Sequence, residues 1–181
     1  MILEGTSLWK DKLGEKVASD MLNIKVDPKD EHVVCGECWT GDGFKAETVP
    51  VIENGVLKNF LIGLYVANKK KLKPAKADMG SFIVAPGESS YADMVKSIKK
   101  GLIVGGFSGG TPNANGEISG VAKNSFLVED GVIKGAVSET MINGNLADML
   151  NNIVAISKET VSDGGGCAPY LAVDGVVVSG K

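Results

Sequence analysis

The sequence predicts an α+β fold, an antiparallel sheet built from repeated β-hairpins with helices packed on it. Two observations carry that prediction. The first is a recurring hairpin frame. VPVIENGVLKNFLI and NSFLVEDGVIKGAV share the order Ile/Val-Glu-Asn/Asp-Gly-Val-Leu/Ile-Lys, centred on Asn54-Gly55 and Asp130-Gly131. Both dipeptides accept the positive φ angles of a type I′ turn, whose twist suits two antiparallel strands. The second is that each hairpin leads into sequence with helical apolar spacing, over residues 60–71 and 145–153.

In chain order, Ser7 to Ala18 puts Leu8, Leu13 and Val17 near one helical face, with Ser7 as N-cap and Gly14 as a weak point. Leu22 to Val26 alternates as a strand, and Asp27-Pro28 ends it. After the first hairpin, the helix of residues 60–71 is expected to bury Leu61, Leu64, Tyr65 and Ala67. It ends in Lys69-Lys70-Lys71, cations that suit a helix C-terminus. Ser90 to Lys100 reads as a helix bounded by a Ser90/Asp93 capping pair and stopped by Gly101. Leu102-Ile103-Val104 is an apolar strand running into a glycine-rich loop, Gly105 to Gly116. The second hairpin and its helix follow. A third hairpin is expected in YLAVDGVVVSG, turning at Asp174-Gly175. No linker or low-complexity segment interrupts the chain, so residues 1–181 read as a single domain.

Composition narrows the function. Net charge is −3, which creates no field to gather nucleic acid or acidic lipid. All 19 basic residues are lysine. Without arginine the chain lacks the planar fork that grips phosphate and guanine edges, so direct nucleic-acid binding is not expected. No stretch approaches the ~18 to 20 apolar residues that span a bilayer, and no signal peptide opens the chain. Three cysteines, an odd number, point to a reducing cytoplasm.

The glycine-rich loop invites a phosphate reading and does not support it. Gly105 and Gly110 have Walker spacing, but Thr111-Pro112 stands where the lysine and its Ser/Thr must be. No Gly-x-Gly-x-x-Gly register fits, and Pro112 to Gly116 is turn sequence where a helix should open. Cys35-x2-Cys38, with His32 just before it, has spacing that can supply zinc ligands, and Cys167 could close a tetrahedral site. A second Cys-x2-Cys is absent, and the pair lies between strand-like segments rather than at a helix N-terminus, as a thioredoxin-like role would need. His32, the one histidine, lies in a charged stretch that reads as solvated loop, which leaves Ser-His or Cys-His catalysis without a placed base. The residues themselves declare no catalytic group and no metal site.

One long stretch carries a resemblance. GLIVGGFSGGTPNANGEISGVAKNSFLVEDGVIKGAVSETMINGNLADMLNNI resembles the C-terminal region of the TldD/PmbA family, also called modulators of DNA gyrase. Gly116-Glu117-Ile118-Ser119, Ala122 to Phe126, Asp130-Gly131 and Gly144-Asn145-Leu146 stand at the matching places. SLWKDKLGEKVAS looks like the family's Leu-Gly-Glu-x-Val-Ala-Ser segment, and GDGFKAETVPVIENGVL is similar to its Glu-Asn-Gly-Val-Leu stretch. The resemblance implies a cytoplasmic peptidase system of two related subunits. The TldD-type subunit carries a zinc-binding His-Glu-x-x-x-His helix, and the PmbA-type (TldE) subunit lacks it. That helix belongs upstream of the Leu-Gly-Glu segment, so here it and the N-terminal domain would precede Met1. The Phe-Ser-Gly-Gly form of the loop looks nearer the PmbA side. TldD-type subunits also use a cysteine near the C-terminus as a zinc ligand. Cys167 is near that place, but Gly164 to Pro169 does not reproduce the surrounding pattern, so the role is not carried over.

The implied assignment is a PmbA/TldE-like domain, non-catalytic by itself and without a cofactor of its own, zinc belonging to the catalytic subunit. Its partner would be a TldD-like subunit or a second copy. An unfolded peptide would be its substrate, contacted by Phe107, Ser108, Gly109, Gly110, Asn124 and Asn145. Glycine lets backbone approach a peptide closely, as in strand addition. It equally lets a chain turn a tight corner, and the sequence leaves both readings open. A small cysteine-zinc module and a purely structural dimerisation domain are the alternatives from other classes.

Overall fold

The computed structural model describes residues 2–180. Residues 7–18 are a series of turns and not the expected helix. Gly14 has φ +84°, and its N–H donates to the Leu57 carbonyl at 2.8 Å. Val17 N–H goes to the Gly55 carbonyl at 2.8 Å, and Leu57 N–H returns to the Glu15 carbonyl at 3.0 Å. The backbone groups that a helix would satisfy internally are spent on an open sheet edge, which needs partners as much as the segment does.

β1 (Ile24–Val26) is the expected strand, trimmed at its start because Leu22 dives into the core at 1% exposure. β2 (Val49–Glu53) and β3 (Val56–Leu57) form the first hairpin. Asn54 and Gly55 have φ +49° and +75°, as a type I′ turn requires. α1 (Leu64–Lys70) starts later than expected, where the Asp42 carboxylate accepts from Leu64 N–H at 2.6 Å, and stops at Lys71 in the left-handed region. Of the four residues expected to be buried on it, Ala67 is fully buried. Leu61 precedes the helix and packs against Val26, Val49 and Ala77, while Leu64 and Tyr65 are exposed. A helix of two turns cannot present all four to one core.

β4 (Phe82–Val84) pairs antiparallel with β1. α2 (Tyr91–Ser97) opens on the expected capping pair, Ser90 Oγ accepting from Asp93 N–H at 3.1 Å. Ser90→Ala should cost about 1 kcal/mol, read as a fall in urea midpoint with unchanged slope. Gly101 is not the stop. Ile98 is already extended, and the second hairpin's turn captures the chain there: Asp130 N–H donates to the Lys99 carbonyl at 2.7 Å and Gly131 N–H to the Ile98 carbonyl at 2.8 Å. β5 (Lys100–Ile103) therefore contains Gly101.

The first part of the glycine-rich stretch is strand and not loop. β6 (Gly106–Gly109) pairs with β7 (Glu117–Lys123), and residues 110–116 connect them. β8 (Phe126–Glu129) and β9 (Val132–Ala136) are the second hairpin, with Asp130 and Gly131 at φ +50° and +73°. β10 (Met141–Asn145) leads into α3 (Leu146–Asn151), and Ile153 already belongs to β11 (Ile153–Ser162). β12 (Cys167–Val173) returns antiparallel along β11.

β13 (Val177–Ser179) does not complete a third hairpin. Gly175 turns the chain at φ +78°, and β12 has β11 on one side and β4 on the other. β4 lies beside β12 only at Cys167, far from this turn, and beyond the turn β13 pairs with β10 of another sheet.

The described strands form three sheets, ordered β11-β12-β4-β1-β2-β3, β13-β10-β7-β6 and β5-β8-β9. Strand neighbours are antiparallel except β12 and β4, which meet in parallel at Cys167 and Ile83. The core lies on the largest sheet, where Val17, Ala18, Leu22, Ile52, Leu57, Ile153 and Ile156 pack together. Each fully buried aliphatic side chain there contributes roughly 1.5–3 kcal/mol. The α+β architecture holds, with the hairpins distributed over several small sheets. No helix among the described residues is long and apolar enough to cross a membrane.

Candidate functional site

β6 is the last strand of its sheet, so one side of its backbone has no strand beside it. Its register with β7 pairs Gly106 with Lys123, Phe107 with Ala122, Ser108 with Val121, and Gly109 with Gly120. Phe107, Ser108, Gly109 and Gly110 are all exposed. Such an edge is a template for a further strand unless something protects it, and this one carries no charge and no proline.

The glycines divide by what a side chain would meet. A Cβ on Gly109 would stand 2.5 Å from the Ser119 carbonyl oxygen and 2.7 Å from the Phe107 ring. A Cβ on Gly120 would stand 2.5 Å from that same ring. The Phe107 ring thus lies flat across two facing glycines, and its apolar face covers backbone that they leave bare. Gly105 passes close to Asn124, its Cβ position 2.3 Å from the Asn124 carbonyl oxygen. Gly116 has φ +84°. Gly110 differs from all of these: nothing lies within 4 Å of its Cβ position, and it has no positive φ. Corner glycines and open glycines coexist, which is why composition alone could not separate the two readings.

The two asparagines lie at different ends. Asn124, at φ +47°, makes the turn from β7 to β8 beside Gly105. Asn145 pairs with Glu117 across β10 and β7, and its side chain is already engaged. Its Oδ1 accepts from Ala147 N–H at 2.9 Å to cap α3, and its Nδ2 donates to the Asn115 carbonyl at 2.8 Å. β6 and its continuation into Gly110 therefore gather four of the six named residues on one edge. Asn124 closes one end of that edge, and Asn145 braces the 110–116 connection from the far side of β7.

The cysteines and histidine do not assemble a zinc-holding set. Cys35 and Cys38 lie exposed on the loop of residues 27–48, whereas Cys167 is buried at the start of β12. His32 Nδ1 is 2.8 Å from Asp30 Oδ1. No three His, Cys, Asp or Glu side chains converge to hold a metal among the described residues.

That loop is tied to the sheet by charge. Lys25 Nζ lies 2.7 Å from Asp27 Oδ2 and 3.3 Å from Asp30 Oδ2, and Thr48 Oγ1 donates to Asp27 Oδ1 at 3.0 Å. Burial works to raise the Asp27 titration, but the Lys25 ammonium, the Thr48 hydroxyl and the Lys29 N–H outweigh it and hold the carboxyl low. Asp30 is held low chiefly by the His32 ring, with Lys25 adding to it. Carboxyls depressed in the folded state stabilise it fully above the unfolded value of about 3.9, and that stability is lost as pH falls through the lowered folded values. Urea unfolding should therefore show stability falling on acidification below about pH 4, and Asp27→Asn should flatten that fall.

A cleft of about 580 Å³, lined by Phe82, Val84, Val161, Cys167 and Tyr170, opens between β4 and the β11–β12 hairpin. Asp163 shapes its rim by accepting from Gly165 and Gly166 N–H at 2.9 and 3.0 Å, which holds its carboxyl below the usual range. Sequence reasoning missed this cleft, because it arises from a parallel contact between strands far apart in the chain.

A family model described as the PmbA/TldA metallopeptidase C-terminal domain matches residues 1–180. The chain is similar to metalloprotease PmbA of Escherichia coli O157:H7, at 33% identity over 82% of this chain and 34% of that protein. It is also similar to a metalloprotease of Methanocaldococcus jannaschii, at 24% identity over 95% of this chain and 44% of that protein. Among solved structures, a candidate modulator of a DNA gyrase from Thermotoga maritima matches with a TM-score of 0.87 at 29% identity. That match covers 98% of this chain and 44% of the other. TldE from Thermococcus kodakarensis shares the fold with a TM-score of 0.87 at 24% identity, covering 99% of this chain and 44% of that one. The chain spans less than half the length of these relatives.

Proposed function

The chain belongs to the PmbA/TldD family, matching its metallopeptidase C-terminal domain, and from that membership we propose that it serves as the C-terminal domain of a PmbA/TldE-like subunit in a cytoplasmic, zinc-dependent peptidase complex. In this reading residues 1–181 act as one domain, non-catalytic by itself. Zinc and the bond-breaking chemistry belong to a TldD-like partner, and a second copy of this chain is the other candidate partner. The substrate is an unfolded peptide.

The observation that carries the peptide role is the free, uncharged edge of β6. An extended peptide laid beside Gly106–Gly109 would gain main-chain hydrogen bonds irrespective of its sequence, which suits a system acting on unfolded chains. Phe107, folded over Gly109 and Gly120, offers apolar surface on one face of that edge. Ser108 points to the other face. Gly110 leaves open space where the peptide would run on. Asn124 closes one end of the edge, and Asn145, proposed as a contact from its place in the sequence, acts by holding the 110–116 connection.

Gly110→Val tests this directly. The site is open, so stability should change by less than about 0.5 kcal/mol, as for an ordinary surface substitution. A β-branched side chain beside the edge should nevertheless weaken binding of an unfolded peptide several-fold in fluorescence anisotropy. Unaltered peptide affinity at unaltered stability would remove the edge from the binding site. The non-catalytic assignment is tested separately: the purified chain should not cleave unfolded peptide, and metal-dependent cleavage in a clean preparation would overturn it.

A further inference from the structure

Cys35 and Cys38 have no part in the edge or the cleft. Both thiols are exposed, and the third cysteine is buried in β12. The segment between them hangs from two fixed points. Val34 N–H donates to the Gly164 carbonyl at 2.9 Å, and the Cys38 carbonyl accepts from N–H of the fully buried Ala46 at 2.9 Å. Among the described residues, the backbone of Cys35, Gly36 and Glu37 makes no hydrogen bond at all. Their dihedral angles can therefore change without breaking one.

The segment also lacks strand pairing, which would hold positions three apart on opposite faces and far from each other. Instead the chain bends at Cys35 and again at Cys38. Gly36 permits that path, since a Cβ there would stand 1.6 Å from the Pro28 carbonyl oxygen. Two exposed thiols thus flank a glycine on backbone that is pinned at its ends and unpaired between them.

We propose that Cys35 and Cys38 are a redox-active dithiol that closes to an intraloop disulfide by exchange with a low-molecular-weight disulfide. One thiolate attacks a sulfur of the oxidant, and half of the oxidant leaves as a thiolate with the electron pair of the broken bond. The second cysteine thiolate then attacks the mixed disulfide and displaces the other half. Two electrons pass from the protein to the oxidant, and the protons of the two protein thiols end on the two small thiols released. Ring closure tightens the loop where Val34 meets Gly164, on the turn that rims the cleft. Cys167 lines the cleft but is only 5% exposed there, so it competes poorly for the oxidant.

The test is to equilibrate the native chain with excess oxidised glutathione, then denature, alkylate and digest with trypsin. Cleavage after Lys29 and Lys45 leaves both cysteines in one peptide and Cys167 in another. The expected result is that alkylatable thiols fall from three to one, with the 30–45 peptide unalkylated and lighter by two hydrogens. Cys38→Ser and Cys35→Ser should each stop at a stable glutathione adduct on the remaining cysteine. Wild-type protein that also stops at adducts, that keeps all three thiols alkylatable, or that loses Cys167 instead, would overturn the proposal.

Discussion

Gly55→Val is expected to destabilise the domain by about 3 to 5 kcal/mol, enough to lower its melting temperature by roughly 10 °C. Two causes add. Gly55 has φ +75°, which a β-branched residue adopts only under strain. Its Cβ position is also 2.3 Å from the Ala18 carbonyl oxygen and 2.8 Å from that of Ser19, both rigid backbone. Relief would push the hairpin off residues 17–19, where Gly55 also receives the Val17 and Ala18 N–H groups at 2.8 and 3.1 Å. Gly131→Val at the equivalent turn is strained in the same way, with φ +73° and the Lys96 carbonyl oxygen at 2.6 Å, but it presses on an exposed helix end instead of the core. Differential scanning calorimetry should rank Gly55→Val as the worse of the two. Equal and small shifts would mean that neither turn is held in its type I′ form.

Leu22→Ala is expected to cost about 2 to 5 kcal/mol, the range for emptying a fully buried leucine site. Leu22 is 1% exposed and packs where residues 17–18, the first hairpin and β11 meet. A cavity there loosens three chain segments at once, and they have no second cluster in common. Leu13→Ala is the control. Helical spacing would place Leu13 on the same buried face as Val17, yet it is 45% exposed. It should change stability by less than about 0.5 kcal/mol in urea unfolding. If Leu13→Ala proved as costly as Leu22→Ala, the turn structure of residues 7–18 would be wrong and the helix reading right.

That pair shows what the sequence carries and what it does not. Asn54-Gly55 and Asp130-Gly131 determine their turns locally, through the φ angles those residues accept, so both hairpins were legible. The Ser90/Asp93 cap was legible for the same reason: it is a contact between residues three apart. Failures came wherever a distant edge competed. Residues 7–18 have helical spacing but give their backbone bonds to the first hairpin. Residues 98–101 leave the helix because the turn at Asp130-Gly131 takes the Ile98 and Lys99 carbonyls and β8 pairs with Lys100 and Gly101. Asp174-Gly175 turns the chain, but β13 takes its partner from β10 of another sheet and not from β12.

The candidate site was half legible. The sequence marked Gly105 to Gly116 as unusual and lent no support to a phosphate site there. Whether a glycine there serves a corner or an open edge depends on the Phe107 ring, the Ser119 carbonyl and Asn124, none of which the spacing reveals.

The central claim, that the β6 edge holds a peptide by its backbone, is tested most directly by amide hydrogen exchange on the chain with and without a saturating unfolded peptide. The account predicts slowed exchange concentrated in residues 106–110. It also predicts that the same peptide, N-methylated at every residue, loses the protection because its main-chain donors are gone from both edges. Exchange at β6 that is unmoved by the peptide, or protection that survives N-methylation, would contradict it.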